Sequence, residues 1–452
     1  MATVCEIAIP DFGAPESIPA IPAAIYRARL LKVRERMREA KLDCLLVYAD
    51  REHSANIAYC TGFDPRFEEA LFILTAEGQA TLCLGNECVN IVSRLPISAD
   101  ILLCQEFSLM GQDRSLSWDL KPLLAKAGLR AGMRCGIAGW KTLMANRLEV
   151  PAYMVDLVAE TCGARPINAN DLFMGPKDGL RTRNEPEQIA LYEYAATRTS
   201  ASVMNVLKSI KPGARCFELA RMFDGGGLPL ACHPMLACGK TIPNGMASPG
   251  NDAIREGDYL TCAFGVWGSL TCRAGWLTAS PKAFATKAGR ATFKVIDNYM
   301  AVTRAWYGAL DVGVAAGEVW TAADAARDDS LYTFCVNPGH YIHLDEWVSS
   351  PFCKGSVALL PSGSAIQADI IPVSRANGIS VNMEDGLLLA DEELRAELKR
   401  RYPDMYRRCQ ARRRFMIEAL GYELSESVLP LGNMPGAYFP CLLDMRLVCR
   451  HD

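Results

Sequence analysis

The chain has 452 residues, of which 50% are hydrophobic and 22% are charged. This composition can bury a large core, and it predicts two domains rather than one small module. The net charge of −3 excludes the basic field that non-specific binding to nucleic acid or to an anionic membrane requires. We therefore expect a small-molecule substrate as the partner.

No apolar run approaches the roughly 18 residues needed to span a bilayer. The first residues also lack the basic and then apolar order of a signal peptide. The 18 cysteines are spread singly, without a Cys-x-x-Cys pair. We therefore predict a cytoplasmic protein whose cysteines are mostly small buried hydrophobic residues.

The first part of the chain predicts an α/β domain over residues 25–175. Apolar residues at helical spacing indicate a helix over 25–42. Strands are predicted at 45–48, 70–74 and 80–84, the last two separated by a turn.

A segment rich in turn formers and charge, residues 174–188, predicts a linker that leads into a helix with Pro186 in its first turn. We assign the second domain to residues 185–395. Residues 396–452 form a C-terminal extension that we expect to pack on the body or on a partner subunit. The three arginines at 412–414 indicate a solvated helix face rather than a phosphate site.

Polar side chains are densest at residues 339–347, Gly-His-Tyr-Ile-His-Leu-Asp-Glu-Trp. Such groups are costly to bury without partners, so their density indicates a functional site. His340 and His343 are three residues apart, which on a strand or loop points the two rings to opposite faces. One ring would face a cavity and the other a structural partner. Asp345 or Glu346 beside an imidazole would raise its pKa and fix its tautomer.

Five short motifs occur in a recognisable order along the chain. They are Tyr59-Cys60-Thr61-Gly62-Phe63, Arg183-Asn184-Glu185-Pro186-Glu187, Glu256-Gly257-Asp258-Tyr259-Leu260, Gly339-His340 and Met383-Glu384-Asp385. Together they resemble the motifs of the creatinase/aminopeptidase P/methionine aminopeptidase superfamily over residues ~25 to ~395. The resemblance implies a mixed α/β (α+β) fold, with a creatinase-type N-terminal domain followed by a pita-bread domain.

Metallopeptidases of this superfamily hold two metal ions with two Asp, one His and two Glu, and the ions activate a bridging water. The resemblance places these five positions at Ala263, Ala274, His340, Asp369 and Glu384. The resemblance implies two further departures: Trp347 stands at the place of a proton-shuttling His, and Asn244 or a neighbour stands at the place of the His before the Gly-Asp turn. Because both bridging carboxylates are missing, we expect no metal and no other cofactor.

Creatinase cleaves a C–N bond without a metal. The resemblance therefore implies a metal-independent hydrolase acting on a small nitrogenous substrate, such as an amidine, an amide or an amino-acid-like compound. Two alternatives stay open: an altered pita-bread protein that binds a peptide or small ligand, and a metal-dependent Xaa-Pro aminopeptidase-like peptidase. Creatinase-like proteins also imply a homodimer, in which Arg66 would grip a substrate carboxylate in the neighbouring subunit's site.

Acid–base catalysis without a metal depends on titratable side chains, and the chain has only five His. The predicted catalytic residues are His340, Glu384, Asp369, His343 and His233. The predicted substrate-binding residues are Arg66, Phe63, Asn244, Phe264, Trp267, Arg273, Asp345, Glu346 and Trp347. We expect His233 on a strand. Arg273 could instead pair with one of the buried carboxylates.

Overall fold

The computed structural model describes residues 2–65, 67–116, 119–240, 242, 246–375 and 378–451. The chain divides into two compact units. We call Ile21–Thr182 the N-terminal unit, and Met1–Ala20 together with Arg183–Asp452 the C-terminal unit. None of the described helices combines the length and apolar character needed to cross a membrane. The predicted mixed α/β class is confirmed.

The described strands are β1 (Ala2–Glu6), β2 (Cys44–Ala49), β3 (Ala70–Thr75), β4 (Ala80–Leu84), β5 (Asp100–Leu103), β6 (Cys135–Ala138), β7 (Ile167–Asn168), β8 (Met235–Gly239), β9 (Tyr259–Val266), β10 (Ser269–Trp276), β11 (Tyr332–Phe334), β12 (His340–Tyr341), β13 (Ser364–Gln367), β14 (Pro372–Ser374), β15 (Asn382–Glu384), β16 (Gly386–Leu389), β17 (Val428–Pro430) and β18 (Leu447–His451). The described α-helices are α1 (Ala23–Glu39), α2 (Ala55–Thr61), α3 (Leu120–Lys126), α4 (Ala152–Cys162), α5 (Asp171–Met174), α6 (Pro186–Lys208), α7 (Cys216–Leu219), α8 (Lys287–Gly308), α9 (Ala316–Ala326), α10 (Glu392–Arg401) and α11 (Pro403–Glu418).

The N-terminal unit is built on a six-stranded sheet in the order β5-β4-β3-β2-β6-β7. Every residue of β2 and β3 is buried. Their continuous apolar sequences are typical of strands covered on both faces. On one face, residues of α3 and α4 such as Leu120, Leu124, Met154 and Val158 complete the core. The predicted helix and three strands of this region are observed, with small shifts of their ends.

The C-terminal unit contains two four-stranded sheets, ordered β15-β10-β9-β8 and β12-β13-β16-β17. The long hairpin of β9 and β10 forms the middle of the first sheet, and all sixteen of its strand residues are buried. Helix α6 packs against both hairpin strands. The hairpin therefore gives the unit a rigid centre on which side chains can be held in a fixed register.

The C-terminal extension is tied to α6 by a buried cluster of charges. Glu193 of α6 accepts hydrogen bonds from Arg408 at 2.8 and 2.7 Å and from Arg412 at 2.8 Å. Arg412 is 0% exposed. The interpretation of Arg412 as part of a solvated face is therefore wrong, because its guanidinium is paired inside the protein. Arg414 of the same run is exposed.

We predict that Glu193→Gln destabilises the C-terminal unit by about 3–5 kcal/mol, since it leaves two largely buried arginines without a compensating charge. Urea unfolding followed by circular dichroism measures this change. The matched control is Glu418→Gln on the exposed side of α11, which we expect to stay within about 0.5 kcal/mol of the parent. Equal stability of the two variants would contradict the assignment of Glu193 as the residue that holds the extension.

Candidate functional site

A cavity of about 670 Å³ lies beside the β9–β10 hairpin, within the C-terminal unit. Most of its wall is apolar, with Met235, Leu270 and Val381 among the lining side chains. Glu346, Asp369 and Glu384 contribute its carboxyl groups, and Trp347 lies beside them. The cavity is therefore acidic where these groups meet and mostly apolar elsewhere, with a few neutral polar side chains such as Thr261 and Asn382.

The register of the first sheet explains how the side chains of one wall come together. Met235 of β8 is opposite Ala263 of β9, Ala263 is opposite Cys272 of β10, and Cys272 is opposite Glu384 of β15. Side chains in one such row share a face of the sheet. Together they form a continuous strip of cavity wall that ends in a carboxyl group.

The second sheet brings His340 and Asp369 to the same place. His340 of β12 is opposite Gln367 of β13, and Asp369 follows Gln367 by two residues. The backbone N–H of Gly339 donates to the carbonyl oxygen of Asp369 at 2.7 Å. This bond fastens the segment before His340 to the segment that carries Asp369.

Gly339 cannot be replaced by a larger residue without moving this site. Its φ is +97°, and a Cβ there would lie 2.7 Å from Cζ2 of Trp306. Only glycine adopts this conformation at low cost. Trp306 is itself fixed, because its Nε1 donates to the carbonyl of Pro338 at 2.7 Å. The packing of Trp306 in α8 against this loop therefore requires a glycine immediately before His340.

The imidazole of His340 is fully buried and held from several directions. Nδ1 lies 3.1 Å from the carbonyl oxygen of Tyr341, to which it donates. Trp347 stacks on the ring with a centroid distance of 4.2 Å. Nε2 lies 3.0 Å from Glu346, 3.7 Å from Glu384 and 3.9 Å from Asp369. One imidazole nitrogen thus faces three carboxyl groups.

The pKa values of His340, Asp369 and Glu384 are all raised. Burial alone would lower the pKa of His340, but the charge of Glu346 and the nearby Glu384 and Asp369 raise it well above its ordinary value. Burial raises the pKa of Asp369 well above its usual range, and the charge of Glu384 adds to this. Burial also raises the pKa of Glu384 to about 7, although a hydrogen bond from His340 opposes the shift. The cluster can therefore hold and exchange protons near neutral pH.

Two residues at the site were missed from the sequence. Nε2 of Gln367 donates to Oε1 of Glu384 at 3.1 Å and to the carbonyl of Leu270 at 2.6 Å, which orients the carboxyl group. Its position two residues before Asp369 was the available signal, because alternate strand residues share a face. Cys272 also lines the cavity. Burial and then the charges of Glu384 and Asp369 raise its thiol pKa, so it is not an activated nucleophile.

Of the predicted site residues, the structure brings together His340, Asp369, Glu384, Glu346 and Trp347. The ring of His343 is buried elsewhere, edge-on to Tyr192 at 5.8 Å. This matches the expectation that the two rings point to opposite faces, and it corrects the assignment of His343 as catalytic.

His233 is exposed and precedes β8 rather than lying on a strand, and its Nε2 is 2.8 Å from the carbonyl of Met246. It does not line the cavity, so its catalytic assignment is also corrected.

Arg273 is a structural residue, which corrects its assignment to substrate binding. Its guanidinium donates to both carboxylate oxygens of Asp385 at 2.9 and 2.8 Å. It also donates to the carbonyl oxygens of Ala437, Cys272, Glu384 and Met434. The side chain is 1% exposed, so it is turned away from the cavity. The expected pairing with a buried carboxylate exists, but the partner is Asp385.

Four other predicted binding residues in the described part of the chain do not line the cavity either: Phe264, Trp267, Asp345 and Phe63. Phe264 stacks on Phe223 at a centroid distance of 4.7 Å, and Trp267 lies in the hairpin turn between β9 and β10. The carbonyl of Asp345 accepts from the backbone N–H of His343. Phe63 is buried in the N-terminal unit. Arg66 and Asn244 lie outside the described residues.

The side chains present do not fit the two-metal centre that the resemblance implies. Ala263 and Ala274 line the cavity on neighbouring strands, and their methyl groups stand where two bridging carboxylates are required. One ligand atom each from His340, Glu346 and Glu384 lie within 4.8 Å of one another, which is close enough for one ion. The site can therefore supply ligands for at most a single metal ion from this cluster.

Comparison with known proteins supports the architecture. Residues 29–137 match the family model of the creatinase/prolidase N-terminal domain. No curated protein matches the chain.

Several solved structures are similar to the chain. An Xaa-Pro dipeptidase from Bacillus anthracis is 16% identical, with 81% of this chain and 96% of that chain covered and a TM-score of 0.62. A prolidase from Pyrococcus horikoshii OT3 is 17% identical, with coverages of 80% and 95% and a TM-score of 0.61. Dipeptidase PepE from Mycobacterium ulcerans is 16% identical, with coverages of 93% and 99% and a TM-score of 0.63.

Identities this low show the fold alone. The fold expected from the motifs is thereby confirmed: residues 29–137 match a creatinase/prolidase N-terminal domain, and the chain has the pita-bread-like fold of these dipeptidase and prolidase structures.

Proposed function

We propose that the chain hydrolyses a C–N bond of a small nitrogenous substrate bound in the cavity, with His340, Asp369 and Glu384 as its acid–base groups. The observation that carries this proposal is the convergence of three carboxyl groups of the cavity wall on one nitrogen of the buried imidazole of His340. The cavity volume of about 670 Å³ suits a small molecule, since ligand sites usually measure about 300–1,000 Å³.

The alternative of a non-catalytic binding protein explains these groups less well. Buried carboxyl groups close to one another are costly, and a cavity that only binds a peptide or a small ligand does not require three of them around one imidazole. The pKa of Glu384, which burial raises to about 7, is that of a group that exchanges protons near neutrality. The arrangement therefore favours an enzyme.

The roles follow from the proton affinities. Ionised Glu384 takes a proton from water, and the water oxygen forms a bond to the carbon of the scissile C–N bond. Protonated His340 gives its proton to the leaving nitrogen as the C–N bond breaks. Gln367 orients Glu384, and Trp347 together with the Tyr341 carbonyl holds the imidazole. Protonated Asp369 keeps the number of negative charges in the cluster low.

A second candidate is a metal-dependent peptidase with one ion held by His340, Glu346 and Glu384, whose ligand atoms lie close enough together. The ion would act as a Lewis acid on the substrate carbonyl. The names of the similar structures, Xaa-Pro dipeptidase and prolidase, agree better with this alternative than with a creatinase-like hydrolase. The missing carboxylates at Ala263 and Ala274 favour the metal-independent proposal. The homodimer, the role of Arg66 in it and the cytoplasmic location stay predictions.

The acid–base proposal predicts a bell-shaped pH dependence of kcat/KM. The rate should rise with pH up to about 7, because Glu384 must lose a proton whose pKa burial raises to that value. It should fall again at higher pH, where His340 loses the proton it gives to the leaving group. We would measure the release of ammonia or amine from a panel of amides, amidines and dipeptides between pH 5 and 10. A flat profile with any turned-over substrate would contradict these roles.

Substitution of the proposed base gives an independent test. Glu384→Gln should lower kcat by about 10²–10⁴-fold, the usual contribution of a positioned acid or base. It should also remove the rise of the rate towards pH 7. The matched control is Glu256→Gln, at an exposed position, which should leave both the rate and the pH profile unchanged.

The assignment of Ala263 and Ala274 predicts that the lost metal centre can be restored. The double variant Ala263→Asp/Ala274→Asp should bind two Mn²⁺ or Zn²⁺ ions per chain by calorimetric titration, while the parent shows no stoichiometric binding. A pair of exposed positions, Ala125→Asp/Ala131→Asp, serves as the control and should behave like the parent. One tightly bound ion in the parent, with activity lost on chelation, would favour the one-metal peptidase. No gain in the double variant would show that the assignment of these two positions is wrong.

A further inference from the structure

The cavity that we propose as the substrate site has an unequal distribution of charge. Its described lining residues include three carboxyl groups, from Glu346, Asp369 and Glu384, and no lysine or arginine. Arg273 lies between two lining residues in the sequence, but its guanidinium is bound to Asp385 outside the cavity. No fixed cation of the described wall is therefore available to an anionic substrate.

His340 does not supply that missing cation. Its Nδ1 donates to the Tyr341 carbonyl, its Nε2 lies 3.0 Å from Glu346, and one face of its ring is covered by Trp347. A carboxylate entering the cavity would meet hydrogen-bond acceptors of its own sign before it reached this imidazole. A carboxylate-bearing ligand is disfavoured, whereas a ligand with a cationic head that donates several N–H groups is favoured.

The rest of the wall is apolar over a considerable extent. Ala263 and Ala274 leave open the space that two aspartates would fill, and Leu270, Met235, Ile371 and Val381 extend the apolar surface. Small side chains at the centre of the hairpin make room, and larger ones around them offer contact to an aliphatic or aromatic body. A small polar molecule would bury little apolar area against this surface.

We propose that the substrate is an amphipathic amidine without a carboxylate, whose cationic head lies between Glu346 and Glu384 and whose apolar body lies over Ala263, Ala274 and Leu270. The inference rests on the proposed function in that it takes this cavity as the substrate site. It narrows the substrate class, because the described wall offers no lysine or arginine to the carboxylate of an amino-acid-like compound. It also departs from the carboxylate-bearing substrate that the expected role of Arg66 implied.

The chemistry of such a substrate balances with water alone. The water oxygen forms a bond to the amidinium carbon, and one of the two C–N bonds breaks. The departing nitrogen leaves as ammonium, and the other nitrogen remains in a carboxamide. Glu384 accepts one proton from the water, and a proton from His340 reaches the departing nitrogen. The second proton of the water joins that nitrogen as the C=O bond of the carboxamide forms, which gives ammonium. Glu384 and His340 return to their starting states by exchange with solvent.

Three probes with the same apolar body test the head group by isothermal calorimetry: phenylacetamidine, phenylacetamide and phenylacetate, each with a chelator present so that stray metal cannot bind the carboxylate. We expect phenylacetamidine to bind about tenfold or more tighter than phenylacetamide, as a charge-assisted contact to a carboxylate provides. Phenylacetate should bind more weakly than both. Equal or tighter binding of phenylacetate than of phenylacetamidine would overturn the inference.

Acetamidine tests the apolar part, because it carries the same head without the aromatic body. It should bind about tenfold or more weakly than phenylacetamidine, since the buried apolar area is lost. Ala263→Leu should reduce this difference by filling the space, with its fold checked by circular dichroism. Equal affinities of acetamidine and phenylacetamidine for the parent protein would overturn the role of the apolar wall.

Glu346→Gln tests the acidic part of the cavity and keeps its shape. The preference for phenylacetamidine over phenylacetamide should fall to about threefold or less. An undiminished preference in this variant would overturn the placement of the head group.

The binding measurements test the ligand class, and the release of ammonia tests the hydrolase proposal, so the two can fail separately. If the probes bind in the expected order but phenylacetamidine releases no ammonia, the hydrolase proposal fails and the ligand class is supported. If phenylacetate binds as tightly as phenylacetamidine, the inference fails, whether or not any amide is hydrolysed.

Discussion

The site depends on one constraint: the imidazole of His340 is buried with a single nitrogen facing three carboxyl groups. Burial by itself opposes a charge on every member of this cluster. The groups can coexist only by sharing protons, so the raised pKa values of Asp369 and Glu384 are a direct result of their position. The surrounding structure holds them there. Gly339 gives the chain its left-handed turn against Trp306, and Gln367 fixes the orientation of Glu384.

Much of the architecture could be predicted from the sequence, because it depends on patterns of residues that are close together in the chain. The continuous apolar sequences of β2 and β3 predict strands, and the order of five short motifs indicates the superfamily. Two of these motifs contain His340 and Glu384, and the resemblance adds Asp369; the structure brings the three together. The Gly-His motif carries this information because its glycine meets a backbone requirement, the positive φ of Gly339.

The residues that the sequence misplaced depend on tertiary pairing. Arg273 and Phe264 lie on the hairpin whose strand residues also line the cavity, but alternate residues of a strand face opposite sides. Arg273 meets Asp385 instead, and Phe264 stacks on Phe223. In the same way, the sequence around Arg412 predicts a solvated cation. Its buried partner, Glu193, lies more than two hundred residues earlier in the chain. Such pairings have no signal in a local pattern of one sequence.

The alanines at 263 and 274 have a consequence for folding as well as for chemistry. With aspartates there, five carboxyl groups would crowd around one imidazole, and their mutual repulsion would be relieved only by bound metal. Native-state stability would then be linked to metal concentration, because an ion that binds only the folded chain stabilises it. The two methyl groups lower the negative charge that the cluster must neutralise as the C-terminal unit folds, so the alanines weaken that linkage.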